Sequence, residues 1–488
     1  MQVNIMNEDT ICAIATAHGM GAIAVIRISG SHAFPIVAQL FQQNGKAFDM
    51  DKMLSHKAYF GQIVDGDEML DEVLVTFFKG PHSFTGEDSA EISVHGSVFI
   101  QQRLLQALIA KGCRMAEPGE FTRRAFVNRK FDLAQAEAIA DLIASQNAAA
   151  HRVAMNQMKG GFSNELKTLR DKLLEITALM ELELDFSEED VEFADRSQLN
   201  MFLDQAVAHI TRLTESFRLG NAIKNGIPVA IVGETNTGKS TLLNALLGEE
   251  RAIVSDIAGT TRDTIEETLN IDGTLFRFID TAGLRETDET IEKIGIERSY
   301  KKLSEADIVV GMLDATKDYG DMREAARNIL EKTDLTQQVL FLLMNKIDQK
   351  VTEQISTETL RQAQGAFNGQ CDRLRYDLQI EIGRTEIMPI SAKQGIGLEE
   401  LRSKLSTCKS DFNANANATL VTNLRHYEAL RNALESLKAV RQSLADNIPT
   451  DLVAQDLRIA LHHLGTITGE VTTDEVLGTI FSRFCIGK

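Results

Sequence analysis

The chain has 488 residues, which at roughly 150 residues per domain predicts about three domains, with no need for disulfide or metal staples. Its apolar fraction of 43% and charged fraction of 25% are ordinary for a globular protein, and no apolar run approaches the roughly 18 residues of a membrane helix. A net charge of −19, from 51 basic and 70 acidic residues, excludes nonspecific coating of nucleic acid or anionic lipid, so any RNA contact has to be local. The five cysteines (Cys12, Cys113, Cys371, Cys408, Cys485) lack metal-ligand spacing and the N-terminus lacks a basic-then-apolar leader. Together these predict a reducing cytoplasm and no membrane attachment.

Over residues 1–125 the runs AIAVIRISG, DEVLVTFFKG and SAEISVHG end at Gly30, Gly80 and Gly96, and strand-like and helix-like patterns alternate. An α+β domain is expected there. From Leu133 the texture turns to Ala-rich helix, with Leu133, Ala136, Ile139 or Ala140, and Ile143 spaced for one stripe, continuing past Leu173 and Leu182. The acidic run from Glu181 to Glu192 reads as a solvated face. Near Gly226 the buried-strand pattern IPVAIVG interrupts the helix and opens an alternation of strands and helices. After NANANAT (413–419) helix returns, with Leu424, Tyr427, Leu430, Leu434, Leu437, Val440 and Leu444 on one stripe. The expected organisation is a multidomain α/β and α chain: an α+β domain (1–125), a discontinuous helical domain (126–225 and 409–488), and an inserted P-loop GTPase-like α/β domain (226–408).

GETNTGKS, residues 233–240, matches G-x-x-x-x-G-K-[ST] between a strand-like and a helix-like run. Gly233 and Gly238 let backbone amides face phosphates, Lys239 offsets β/γ charge, and the Ser240 hydroxyl suits Mg²⁺. The nucleotide-contacting stretch is expected to cover Asn236, Thr237, Gly238, Lys239, Ser240 and Thr241. Asn345, Lys346 and Asp348 of NKID follow the apolar run VLFLLM. The Asp348 carboxylate accepts from guanine N1–H and N2, a donor pair adenine lacks, so GTP is selected over ATP.

DTAG places Asp280, Thr281, Ala282 and Gly283 where Asp280 can reach the Mg²⁺ shell and Gly283 the γ-phosphate, while Ser391, Ala392 and Lys393 complete the base pocket. Gly259, Thr260 and Thr261 supply a threonine, Thr261, for Mg²⁺ in the GTP state. Leu284 occupies the position where many small GTPases carry a water-orienting glutamine. Arg285, Glu286 and Glu292 are the alternatives, the carboxylates as water-orienting groups and Arg285 as an internal finger. A monovalent cation is a further way to supply positive charge, held by the Asn236 amide and by groups of the loop Ser255, Asp256, Ile257, Ala258, Gly259 and Thr260.

With the P-loop, GTTRD (259–263), DTAGLRET (280–287) and IGIERS (294–299) in hand, the chain resembles the MnmE (TrmE) family of tRNA-modifying GTPases. VIRISG, SFTGEDSAEISVHG, EPGEFTRRAF, DLAQAEAIADLI and the terminal FCIGK carry the resemblance outside the nucleotide motifs. It implies a homodimer whose N-terminal domain binds 5-formyl-tetrahydrofolate or a related one-carbon folate, and whose inserted G domains pair in a K⁺-dependent way. Carried over, K⁺ falls to Asn236, Ser255, Ile257 and Thr260, Mg²⁺ to Ser240 and Thr261, and the water-orienting role to Glu292. Folate falls to Arg27, Glu91 and Lys130 with Lys488 nearby, and Cys485 matches a cysteine near the modification site.

Departures from the family pattern are Glu234 and Thr235 before Asn236, AHGMG at 17–21, and Ser97 after Gly96. The densest basic cluster, Arg123, Arg124, Arg129 and Lys130, suits either tRNA phosphates or a solvated helix face. His462 and His463 read as structural. The function the resemblance implies is GTP hydrolysis coupled, with an FAD-dependent partner of the MnmG type, to addition of a carboxymethylaminomethyl or aminomethyl group at C5 of the wobble uridine of certain tRNAs. The motifs alone also suit a ribosome-assembly switch or a purely structural GTPase.

Overall fold

The computed structural model describes residues 9–185, 196–248, 267–279, 303–350, 357–380, 384–408, 419–446, 448–482, 484 and 487. Two compact units emerge: Met1–Ala144 with Ala154–Thr211 and Glu428–Lys488, and Ser145–Val153 with Arg212–Tyr427.

The first unit contains an eight-stranded sheet built from β1 (Thr10–Ile14), β2 (Ile23–Ser29), β3 (Phe41–Gln43), β4 (Lys46–Ala47), β5 (Ala58–Asp65), β6 (Glu68–Phe78), β7 (Ser89–His95) and β8 (Cys113–Met115). The strand order is β4-β3-β5-β6-β7-β2-β1-β8. Period-two alternation sends Ala24, Ile26, Ile28, Val73, Val75, Phe77, Ile92 and Val94 to one core beneath the helices Ala33–Leu40 and Val98–Ala110. The opposite face carries Arg27 and Glu91, which stand directly across from each other between β2 and β7.

The helices Glu120–Val127, Leu133–Ala144, Gly161–Asp185, Thr450–Thr468 and Asp474–Phe481 also belong to this unit, as does most of Leu424–Ala445. Leu133 and Ala136 pack on Leu477 and Phe481. The expected stripe from Leu133 does not stay buried to its end: Ile143, in the last turn, is 48% exposed. Along that helix the core is instead made by alanines, Ala134 and Ala138 among them, which permit close helix approach. In the helix Leu424–Ala445 the expected stripe is buried from Leu430 through Leu434 and Leu437 to Val440, whereas Leu424 at its start is exposed.

In the second unit β9 (Ile227–Gly233), β10 (Glu267–Ile271), β11 (Thr274–Ile279), β12 (Ile308–Asp314), β13 (Val339–Asn345) and β14 (Thr385–Pro389) form a sheet ordered β10-β11-β9-β12-β13-β14. It is parallel except for the edge pair β10–β11. Both faces are covered: Val229 and Ile231 of β9 point into one core, Ala230 and Val232 into the other. This explains why its strands read as unbroken apolar runs. The helices Lys239–Gly248, Tyr319–Glu331, Thr357–Asp377 and Leu398–Thr407 follow β9, β12, β13 and β14. The carboxyl ends of β9, β12 and β13 therefore open on one edge of the sheet, where ligands bind in open α/β folds. Among the described residues no helix is long and apolar enough to cross a membrane.

Candidate functional site

β9 ends at Gly233 and the helix from Lys239 begins six residues later, so the loop between presents the N-terminal amides of that helix outward. Gly238 adopts φ +97°, and a side chain there would run into the Asn345 amide. Only glycine satisfies both demands. Asn236 is also left-handed, at φ 60°, a conformation asparagine tolerates, and it stands exposed. Lys239 Nζ donates to the carbonyls of Gly233 at 2.9 Å and Glu234 at 2.8 Å. Burial pulls this ammonium below the usual lysine range and the Glu234 charge partly opposes it. A polyphosphate would bring such an ammonium the counter-charge that backbone carbonyls supply only weakly.

Asn345, at the end of β13 and 3% exposed, joins the two halves of the predicted nucleotide site. Its Nδ2 donates to the Thr237 carbonyl at 2.8 Å, and its Oδ1 accepts from Ala392 N at 2.9 Å. Ser391 Oγ donates to Asp348 Oδ1 at 2.6 Å, fixing the carboxylate expected to read guanine. Lys346, left-handed at φ 68°, donates to Asp314 Oδ2 at 2.7 Å. Burial pushes the Asp314 carboxyl up, but Lys346 and the Thr316 hydroxyl and amide outweigh it and hold it below the usual range. Thus Asn236, Thr237, Gly238, Lys239, Ser240 and Thr241 meet Asn345, Lys346, Asp348, Ser391, Ala392 and Lys393 along one sheet edge. Sequence reasoning missed Asp314, although an aspartate closing the apolar run IVVGML was a signal for it. Glu292, Ser255, Asp256, Ile257, Ala258, Gly259, Thr260, Thr261, Asp280, Thr281, Ala282 and Gly283 lie outside the described residues, as do Arg285 and Glu286.

On the open face of the first sheet, Arg27 Nε and Nη2 lie 3.0 and 2.9 Å from Glu91 Oε1. The guanidinium also covers the rings of Phe84, at 5.0 Å, and Phe121, at 5.7 Å. Lys130 Nζ donates to the Pro81 carbonyl at 2.9 Å, on the same loop that carries Phe84. Gly487 packs against the Ile14 carbonyl at the end of β1, with no space for a side chain. Cys485 and Lys488 lie outside the described residues.

The basic cluster divides: Arg123 and Arg124 are engaged by carboxylates, whereas Arg129 and Lys130 stand exposed. Arg124 is buried and bonds Glu87 at 3.2 Å, Glu120 at 3.0 Å and Asp9 at 3.1 Å. Arg123 reaches Glu117 at 3.4 Å. Glu120, 1% exposed, also takes both terminal nitrogens of Arg114 at 2.7 and 3.0 Å. The start of this helix thus gathers Arg114, Arg123 and Arg124 around carboxylates near in sequence, Glu117 and Glu120, and distant, Asp9 and Glu87.

Two family models match. One describes the GTP-binding protein TrmE N-terminus, over residues 10–130, and the other the MnmE helical domain, over residues 133–485. Curated relatives named tRNA modification GTPase MnmE span nearly the full chain. The one from Porphyromonas gingivalis is 50% identical over 99% of this chain and 98% of its own length. That from Bacteroides fragilis is 51% identical over 99% of this chain and 100% of its own. A solved structure of the FeoB G-domain from Methanococcus jannaschii is 26% identical, covering 38% of this chain and 98% of that one, with a TM-score of 0.25. A chain half-identical to these relatives along its whole length, matched by both family models and carrying the P-loop sequence tied by one asparagine to the predicted base loop, is a GTP hydrolase of tRNA modification and a member of the MnmE (TrmE) family.

Proposed function

We propose that this GTPase acts as a homodimer with an FAD-dependent partner of the MnmG type, adding a carboxymethylaminomethyl or aminomethyl group at C5 of the wobble uridine of certain tRNAs in the cytoplasm. Three parts share the work: the α+β domain (1–125), the helical domain (126–225 and 409–488), and the inserted G domain (226–408). The observation that carries the nucleotide half is the Asn345 bridge, which sets the phosphate loop and the base-reading loop at a fixed separation.

In this reading Lys239 and the loop amides receive the β/γ-phosphates, Ser240 and Thr261 hold Mg²⁺, and Asp348 with Ser391 reads guanine. Asp280 and Gly283 meet the metal shell and the γ-phosphate. Asn236, exposed on a left-handed backbone, presents its amide oxygen to K⁺, with Ser255, Ile257 and Thr260 as the remaining donors. Bound there, K⁺ would supply positive charge of the kind that an arginine finger, worth roughly 10³–10⁵ in rate, supplies elsewhere. Glu292 orients the attacking water.

The folate half rests on Arg27, Glu91 and Lys130. Because Arg27 is already paired, its first task is to hold Glu91, which at 32% side-chain exposure keeps lone pairs for the amino edge of a pterin. A folate carboxylate meets Arg27 only by competing with Glu91, and meets Lys130 more freely. Lys488 and Cys485 complete the proposed set. When bound, the folate supplies the one-carbon unit and the flavin the redox step.

Mass spectrometry of wobble uridines from a strain lacking this protein tests the reading. Loss of the C5 modification is expected, and an unchanged nucleoside profile refutes it.

A further inference from the structure

The phosphate loop of this chain carries a carboxylate, Glu234, beside the place where a polyanion is to sit, and like charges so placed oppose binding. Glu234 is not left unopposed. Its Oε2 lies 2.6 Å from Lys317 Nζ, on the turn that leaves β12. The same turn holds Asp314, which grips Lys346 of the base-reading loop at 2.7 Å. Thr316 N and Oγ1 donate to Asp314 Oδ1 at 2.9 and 2.6 Å, and Lys317 N donates to the Asp314 carbonyl at 3.2 Å. One short turn thus places a cation against the phosphate loop and an anion against the base loop.

The two ends differ in exposure. Asp314 is nearly buried, at 10% side-chain exposure, whereas Lys317 and Glu234 are half-exposed, at 43% and 52%. Without Lys317, Glu234 has another cation in reach. Lys239 Nζ already bonds the Glu234 carbonyl, and a carboxylate swung onto that ammonium would occupy the charge meant for phosphate.

We propose that Lys317 is a positioning residue of the nucleotide site: it neutralises Glu234 and holds it off Lys239, so that the phosphate loop admits a triphosphate. The Asp314–Lys317 turn thereby sets both ends of the site from one strand terminus. The proposal rests on the reading of residues 233–240 as the phosphate cradle.

Equilibrium titration of full-length protein with fluorescent mant-GTP and mant-GDP tests it, using Lys317→Ala, Glu234→Gln, the double variant and Lys317→Arg. Lys317→Ala should weaken mant-GTP by about two- to fivefold, and mant-GDP by less, because the repulsion scales with ligand charge. The double variant should return to within about twofold of wild type, Lys317→Arg should bind like wild type, and the Lys317→Ala defect should shrink at high salt. A defect that persists in the double variant, or that is equal for the two nucleotides, overturns the proposal, since a merely structural lysine would behave that way. Wild-type protein that binds neither nucleotide refutes the phosphate-cradle reading, a separate failure.

Discussion

Glu120 shows how single charges hold the first unit together. Burial pushes its carboxyl up, but the Arg114 guanidinium, the Glu117 amide and Arg124 outweigh that and hold it below the usual carboxylate range. Replacing it with glutamine leaves Arg114 and Arg124 under-compensated, and we expect a loss of about 3 kcal/mol in urea unfolding at neutral pH. A depressed folded-state value means the contribution is complete above the ordinary glutamate value of 4.5 and is lost as pH falls through the lower folded value. The gap between wild type and Glu120→Gln should therefore be flat from pH 6 to 8 and close in acid; a gap that widens in acid contradicts the assignment. The i,i+4 spacing of Glu120 and Arg124 is local, but the rest of this network is not signalled in the sequence. Arg123 and Arg124 are adjacent and chemically alike, yet Arg124 is committed inward by Glu87, 37 positions away, and by Asp9, 115 positions away.

At the scale of elements, the helix Arg196–Asn225 illustrates a substitution whose sign is set by packing. Glycine inside a helix is ordinarily worse than alanine by about 0.5–1 kcal/mol, so Gly220→Ala should stabilise. Here the added carbon would strike the Val421 carbonyl, which is backbone and cannot step aside. Neighbouring contacts fix that approach: Val421 N donates to Ser216 Oγ at 3.1 Å, and Phe217 stacks on Tyr427 at 4.5 Å. We expect Gly220→Ala to lower stability by about 1–3 kcal/mol, read as a fall in melting temperature; an unchanged or raised value refutes the contact. The elements themselves were largely legible, because β9, β11 and β13 are short apolar runs that lead into motif residues, and because the helical stripes repeat every three to four positions. The Lys346–Asp314 and Lys317–Glu234 pairs were not, since their partners stand 32 and 83 residues apart and meet only once the sheet order is set.

For the molecule as a whole, the proposed mechanism makes turnover depend on ions and on pairing of G domains rather than on an arginine. Replacing K⁺ by Na⁺ should collapse GTP turnover in a phosphate-release assay while mant-GTP binding persists. Glu292→Ala should do the same in K⁺. Equal turnover in both salts removes the cation from the mechanism. Contiguous motifs in the sequence marked the expected nucleotide loops, and only the family resemblance chose K⁺ and Glu292, whereas the pairing of Arg27 with Glu91 required the register of β2 on β7.

Asn345 has one further consequence. A single carboxamide clasps Thr237 on one side and Ala392 on the other, so in the proposed site the loop for the nucleotide's tail and the loop for its ring are not independent. Fragments such as guanosine or free triphosphate, each meeting only one of the linked loops, should bind far more weakly than the intact nucleotide. Selectivity for the whole ligand over its pieces is thereby written into one side chain.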